Sequence, residues 1–560
     1  MGPTRCKLSG NDSTPEPRPG PRSARSPCVL PSGAYARLVS GLLLATGLVA
    51  LVVAVSAVAR RLGVLAPILL VAAGIAVSFV PGVPAVELDP ELVLAGVLPP
   101  LLYVTAIETS VPAFRYNLRP ILLLAVGLVL FTTVVVGLVL HAVVPQIPLP
   151  AAFALGAIVA PPDAVAATAV GRRIGLPRRI VTILEGESLI NDATALVTLR
   201  LAVAAAIGQA VGFADFAGGL ALAAVGGILV GGAAAWLLAL LHRRARDPLL
   251  DNSLSLLTPF VAYAAAEAIH ASGVVAVVVT GLYLGHRWPV LMSAGSRLQM
   301  SAFWAMVRFI LEGSVFLLVG LQLREILNDL RVPARTVVVA TVAVVAAVVL
   351  SRFVWVYPAT YLARLVPRVR DRDPNPPPRI PTVIGWAGMR GVVTLAAAFS
   401  LPLRTPAGTP FPGRDLMLWL AFAVIIVTLL LQAATLPAVV RLLKVPRDDP
   451  AEDLLAEAAV QYQASRTALE RLETQAETAS PEVMGRLREQ ARRRADHAWE
   501  RLGSQQRETP VNTYRRLRLV MLEAERSVFR QARDGGRIPE EVMRRAQREM
   551  DLEESIITRE

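Results

Sequence analysis

Between Ile183 and Leu199 the chain reads ILEGESLINDATALVTL, and among these apolar neighbours stand Glu185, Glu187, Ser188, Asn191 and Asp192. On a helix Glu187 and Asn191 are four residues apart, as are Ser188 and Asp192, so two adjacent polar ridges run along much the same side. Together they offer carboxylate, amide and hydroxyl oxygens, which accept protons and coordinate hard cations. A charge at the centre of a membrane helix costs roughly 2.5 to 3.5 kcal/mol on insertion scales, so these side chains are expected to face a water-filled cavity or a bundle interior. For Asn191 and Glu185 a plainer use also stands, as hydrogen-bonding glue within the bundle.

Two further stretches carry the same kind of signal. In LGAIVAPPDAVAATAVG, Pro161 and Pro162 have no N–H to give to the carbonyls of Ala157 and Ile158, so the helix is expected to break just before Asp163. A break inside a membrane is tolerated where the freed backbone lines a cavity, and there the carbonyls become cation ligands beside the Asp163 carboxylate. In PTVIGWAGMRGVVTLAAAFSLP, Gly385, Gly388 and Gly391 weaken a second span around Arg390. Two interrupted spans in separate halves of the chain suggest an inverted repeat with the site between them. Arg390 needs a carboxylate. It is expected to pair with Glu312 of FILEGSVFLLVGLQL, as a buried structural ion pair that holds the broken helix, with Glu267 as the other candidate.

The setting of these residues follows from composition. Of 560 residues 54% are hydrophobic, and the mean hydropathy is +0.54, far above that of a soluble globular protein. Roughly 13 apolar runs near the ~20 residues that cross a hydrocarbon core lie between 38 and 443. The fold class expected is therefore an all-α polytopic membrane protein. The net charge of +13 would suit a nucleic-acid binder, but the excess arginine falls largely in short loops between the runs, and no nucleic-acid partner is expected. Arg60 and Arg61, Arg172 and Arg173, Arg243 and Arg244, and Arg441 occupy alternate connections, which the positive-inside rule assigns to the cytoplasm together with the C-terminus. The rule sits less well with LREILNDLRVPAR and with a basic N-terminal tail on the opposite side.

Three zones result. Residues 1–36, rich in Pro and Arg, are expected to be disordered. Residues 37–445 form the membrane domain, and 446–560 switch to charged sequence in which Leu455, Ala458, Tyr462 and Leu469, then Leu517, Met521 and Val528, recur at helical spacing up to Gly535. That zone is expected to be a soluble helical tail with no partner named by its sequence. Both cysteines, Cys6 and Cys28, lie in the N-terminal tail, so the membrane core has no Cys-based metal site and no cofactor is expected. Metalloproteolysis lacks its His-Glu-x-x-His motif. An intramembrane aspartyl protease could use Asp163 and Asp192, but no Gly-x-Gly-Asp stretch accompanies them, and the chain is not expected to be an enzyme.

Taken in order, APPDAVA, EGESLINDATALV, SGVVAVVVTGLYLG, EGSVFLLVGLQL and GWAGMRGVVTLA resemble the sodium/proton antiporters of the NhaP and NHE type, in the bacterial form with a charged C-terminal tail. The resemblance covers residues of roughly 40 to 445, its five motifs keeping their order along the chain. It implies a homodimer in the cell membrane, active in sodium and pH balance, with thirteen spans per protomer and two crossed, unwound helices in a mobile core. It makes Asp192 the shared carrier of proton and cation. The implied Na⁺ shell adds Asp163, Glu187, Ser188 and a backbone carbonyl of the kink at Pro162, where relatives often carry threonine. Asn191 in place of a second aspartate goes with electroneutral exchange. Cation and proton would then compete for one carboxylate site under alternating access, because an empty charged site crossing the barrier would be penalised. Oxygen ligands alone do not separate Na⁺ or Li⁺ from K⁺, and a K⁺/H⁺ exchanger of the same fold is the alternative.

Overall fold

The computed structural model describes residues 32–81, 90–245, 247–474, 480–503, 510–535 and 537–559. Residues 1–31, with both cysteines and most of the expected disordered tail, lie outside them; the rest of that tail, from Ser32, already belongs to the helix Ser32–Leu62. Among the described residues the architecture is helical, and eight helices are long and apolar enough to cross a membrane. In lipid only intrahelical hydrogen bonds can satisfy every backbone N–H and C=O of a spanning segment. Prolines open several other helices, among them Ala66–Ser78, Leu149–Val159 and Pro248–Glu267, at first-turn positions where no N–H is needed. The helix Gly273–Leu291 is capped where Ser272 Oγ accepts from the Val275 N–H at 3.3 Å.

Two expected spans are each divided. The first consists of Leu149–Val159 and Ala164–Ile174, the second of Arg379–Trp386 and Val392–Phe399. Around them the helices come very close where small residues allow it. A Cβ on Gly74 would lie 2.2 Å from the Leu317 carbonyl oxygen and one on Gly320 2.3 Å from that of Val71, so Ala66–Ser78 and Ala294–Leu321 meet backbone to backbone.

The helix that bears the acidic stretch, Arg178–Ala206, runs through the interior. Ile180, Ile183 and Leu184 join one core cluster, Leu189 and Ala193 a second, and Leu199 a third. Its midpoint is therefore surrounded by other helices and removed from lipid. The helix Arg414–Leu442 is the most buried of the eight: 72% of its most apolar stretch is buried, against 17% for Ala45–Leu62, which lies at the periphery.

The chain divides into two compact units, Met1–Val445 and Pro446–Glu560. The second consists of Pro450–Glu473, Pro481–Gly503, Pro510–Asp534 and Glu540–Arg559, with the first pair packed together and the second pair packed together. Bidentate arginines join each pair: Arg488 to Glu473 at 2.8 Å on both nitrogens, and Arg518 to Glu553 at 2.6 and 2.7 Å. Of the periodic residues, Ala458 is buried, whereas Leu517, Met521 and Val528 face outward and Leu522 is the one that packs inward.

Candidate functional site

The two interrupted spans are bonded to each other through their unwound segments. Asp163 donates its backbone N–H to the Met389 carbonyl at 2.7 Å. Arg390 reaches back, with Nε on the Val159 carbonyl at 3.0 Å and Nη2 on that of Ala160 at 3.3 Å, and it also donates to Gly388 O. The Arg390 N–H itself is taken by Thr428 Oγ1 at 3.1 Å. These carbonyls end a helix that proline prevents from continuing, so a partner from outside the segment must satisfy them. A guanidinium, with five donors in a planar fork, serves several at once. The Pro162 carbonyl is also occupied, by Asn191 Nδ2 at 2.7 Å.

Gly391 marks how tight the crossing is. A Cβ there would lie 1.8 Å from Asp163 Oδ2, so the carboxylate rests against the backbone of the other broken helix. The requirement is for space: Gly391 is extended, with φ −127° and ψ −160°.

Glu187, Asn191 and Asp192 are all buried at the middle of Arg178–Ala206, but their surroundings differ. Glu187 is bound at both oxygens by Arg352, at 2.6 and 2.7 Å, and both side chains are 1% exposed. The third nitrogen of Arg352 donates to the Ile384 carbonyl at 3.0 Å, which ties the pair to the second broken helix. Asn191 uses its amide nitrogen on Pro162, and its buried Oδ1 has no hydrogen bond among the described residues. Asp192 is 6% exposed and makes no hydrogen bond or ion pair among the described residues; the charge that acts on it is that of Asp163. Asp163 and Ser188 are half-buried.

Two expectations are corrected. Arg390 does not pair with Glu312. Its nitrogens are spent on backbone carbonyls, and the charges around half-buried Glu312 are Arg308, Asp163 and Glu108, with Arg308 itself ion-paired to Glu108 at 2.7 Å. Glu267, the other candidate, pairs with Arg200 at 3.0 Å. Nor do Asp163, Glu187 and Asp192 converge as three free carboxylates: Arg352 neutralises Glu187, and among the described residues no group of three or more His, Cys, Asp or Glu is placed to hold a metal ion. Arg352, on Ala334–Tyr361, is inconspicuous in the sequence because it sits inside a long apolar run. The signal was there, since an arginine inside an apolar run needs either a buried carboxylate or free backbone carbonyls to receive it.

An all-helical membrane protein whose two broken helices meet through their unwound segments, with buried carboxylates beside the meeting point, has the construction of an ion-coupled secondary transporter. Residues 47–442 match the family described as sodium/hydrogen exchanger, transmembrane, and the chain belongs to that family. It exchanges monovalent cations for protons. An uncharacterised Na⁺/H⁺ exchanger of Mycobacterium bovis is 40% identical over 418 residues, covering 73% of this chain and 76% of that one. The sodium, potassium, lithium and rubidium/H⁺ antiporter of Bacillus subtilis is 37% identical over 389 residues, covering 66% of this chain and 57% of that one. The fold is also similar to that of the solved sodium proton antiporter of Methanocaldococcus jannaschii, with a TM-score of 0.57 at 19% identity, covering 72% of this chain and 99% of that one.

Proposed function

We propose that Asp192 carries cation and proton in turn, with Asp163 and Ser188 completing its oxygen shell, and that one monovalent cation is exchanged for one proton. The observation that carries this is the state of Asp192, a buried carboxylate without a hydrogen bond or ion pair among the described residues while its neighbour Glu187 is fully engaged. A buried charge left so is costly unless something arrives to neutralise it. A proton and a Na⁺ ion each do this, and they exclude one another at the same oxygens. Asn191 stays neutral and holds the Pro162 carbonyl, so the site gains or loses a single charge in each half of the cycle. The cycle proceeds by alternating access, and no covalent intermediate is involved. Na⁺ and Li⁺ suit such a site, and the name of the Bacillus subtilis relative, which adds potassium and rubidium, supports a K⁺-accepting variant of the same cycle.

The protein is read as a homodimer in the cell membrane, as its family resemblance implies, with residues 446–560 in the cytoplasm on the strength of the arginine-rich loops. A reporter fused after Arg447 should be active only on the cytoplasmic side. The carrier assignment is tested with Asp192→Asn, which keeps shape and hydrogen bonding and removes the titration. Reconstituted in proteoliposomes with a pH-sensitive dye, it should insert at normal yield and show no exchange with Na⁺, Li⁺ or K⁺ at any pH. Exchange with an ordinary pH profile would pass the role to Asp163.

A further inference from the structure

Away from the crossing, a groove of about 640 Å³ opens where the chain enters the span Leu118–Val143. Arg115, Tyr116 and Arg119 line one end, and Leu122, Val126 and Gly127 the other. Tyr116 is 65% exposed and Leu122 42%, so both ends are open to their surroundings. Behind Gly127 packs the indole of Trp355, which approaches so closely that a Cβ on Gly127 would lie 2.3 Å from it. That ring is fixed by a 2.9 Å hydrogen bond from Nε1 to the Leu123 carbonyl, in the widened helical turn Leu123–Leu128.

The charged end holds more arginine than acid. Asp373 is ion-paired to Arg179 at 2.7 Å and also to Arg364, and Arg179 stacks over Tyr116 at 5.7 Å. Arg364 and Asp373 both act on the charge of Arg119. Arg115 and Arg119 make no ion pair among the described residues. One carboxylate therefore stands against four guanidiniums, at the level where an apolar span begins.

We propose that this groove binds an anionic glycerophospholipid, its phosphate between Arg115 and Arg119 and one acyl chain over Leu122, Val126 and Gly127. Charge complementarity selects the headgroup. Length selects the tail: from Leu118 to Gly127 a helix advances roughly 14 Å, close to the ~15 Å of one leaflet of hydrocarbon. A free phosphate would use only the arginine end and leave the apolar end bare. Arg179 lies in the first turn of Arg178–Ala206, so the lipid adjoins the end of the helix that carries Asp192.

The test is lipid binding to the full-length detergent-purified protein, followed by native mass spectrometry with phosphatidylglycerol, phosphatidylcholine or inorganic phosphate. Phosphatidylglycerol should bind more tightly than phosphatidylcholine, and inorganic phosphate at millimolar concentration should not displace it. Arg115→Gln with Arg119→Gln should weaken phosphatidylglycerol about 30-fold, from ~1 kcal/mol per basic residue near a charged lipid, and leave phosphatidylcholine unchanged. Leu122→Trp fills the apolar end, keeps both arginines, and should weaken phosphatidylglycerol as well. If the double variant melts below the wild type, Arg115→Gln alone and Leu122→Trp decide the matter. Equal binding of the two lipids, displacement by phosphate, or wild-type phosphatidylglycerol affinity in these variants would overturn the proposal.

Discussion

Removing Arg352 tests whether Glu187 is a strut of the fold or a ligand of the transported ion. Both groups are 1% exposed and joined by two hydrogen bonds of 2.6 and 2.7 Å. Arg352→Met leaves a buried carboxylate without its counter-charge, a loss of roughly 3 to 5 kcal/mol, and also deprives the Ile384 carbonyl of its donor. Glu187→Gln leaves the guanidinium buried and unneutralised, at a similar cost of about 3 to 5 kcal/mol. With both charges replaced, the remaining defect is mainly the Ile384 carbonyl, about 1 to 3 kcal/mol. The double variant should thus be more stable than either single one, with a coupling of at least ~3 kcal/mol in the cycle. Melting in detergent supplies the stability order, and proteoliposome exchange supplies the second readout. If Glu187 is a strut, exchange returns with the fold in the double variant. Additive melting shifts would refute the ion pair, and a double variant that is stable yet inactive would return Glu187 to the ion-binding shell.

Two other consequences follow from the crossing. Arg390→Met should uncover the carbonyls of Val159, Ala160 and Gly388 and lower stability by more than ~3 kcal/mol, while Glu312→Gln should add its own effect independently; strong coupling between them in melting experiments would restore the Arg390–Glu312 pair. Gly391→Ala places a methyl where Asp163 Oδ2 now lies, and overpacking of this kind costs about 1 to 3 kcal/mol, so the Na⁺ concentration for half-maximal exchange should rise roughly ten-fold. An unchanged value would mean that Asp163 does not need its present position.

Much of the site was legible in the sequence because the membrane makes polarity conspicuous. Among residues selected for hydrocarbon, Glu187, Asn191 and Asp192 at helical spacing are visible as interior groups, and Pro161–Pro162 announce a break before Asp163 through a missing donor. The helical character of the chain, the change of unit after Val445 and the two interrupted spans were open to the same reasoning, which is local: a proline or a charge changes the energy of its own segment whatever packs against it. Partner choice is not local. Nothing in the spacing of Arg390, Glu312, Glu187 and Arg352 says which cation meets which carboxylate, since all four lie on different spans and the cost of burial is relieved by any of the pairings. The tertiary structure decided it through the free carbonyls. The broken helix exposes Val159 and Ala160, Arg390 is the donor within reach of both, and Glu187 is then left to Arg352. With Glu187 engaged and Asn191 turned to Pro162, Asp192 is the carboxylate of this helix's Asn-Asp pair that the fold leaves buried and unmatched. The sequence determined that acids stand in the membrane interior; the packing of the two broken helices determined which of them is left without a hydrogen bond or ion pair among the described residues.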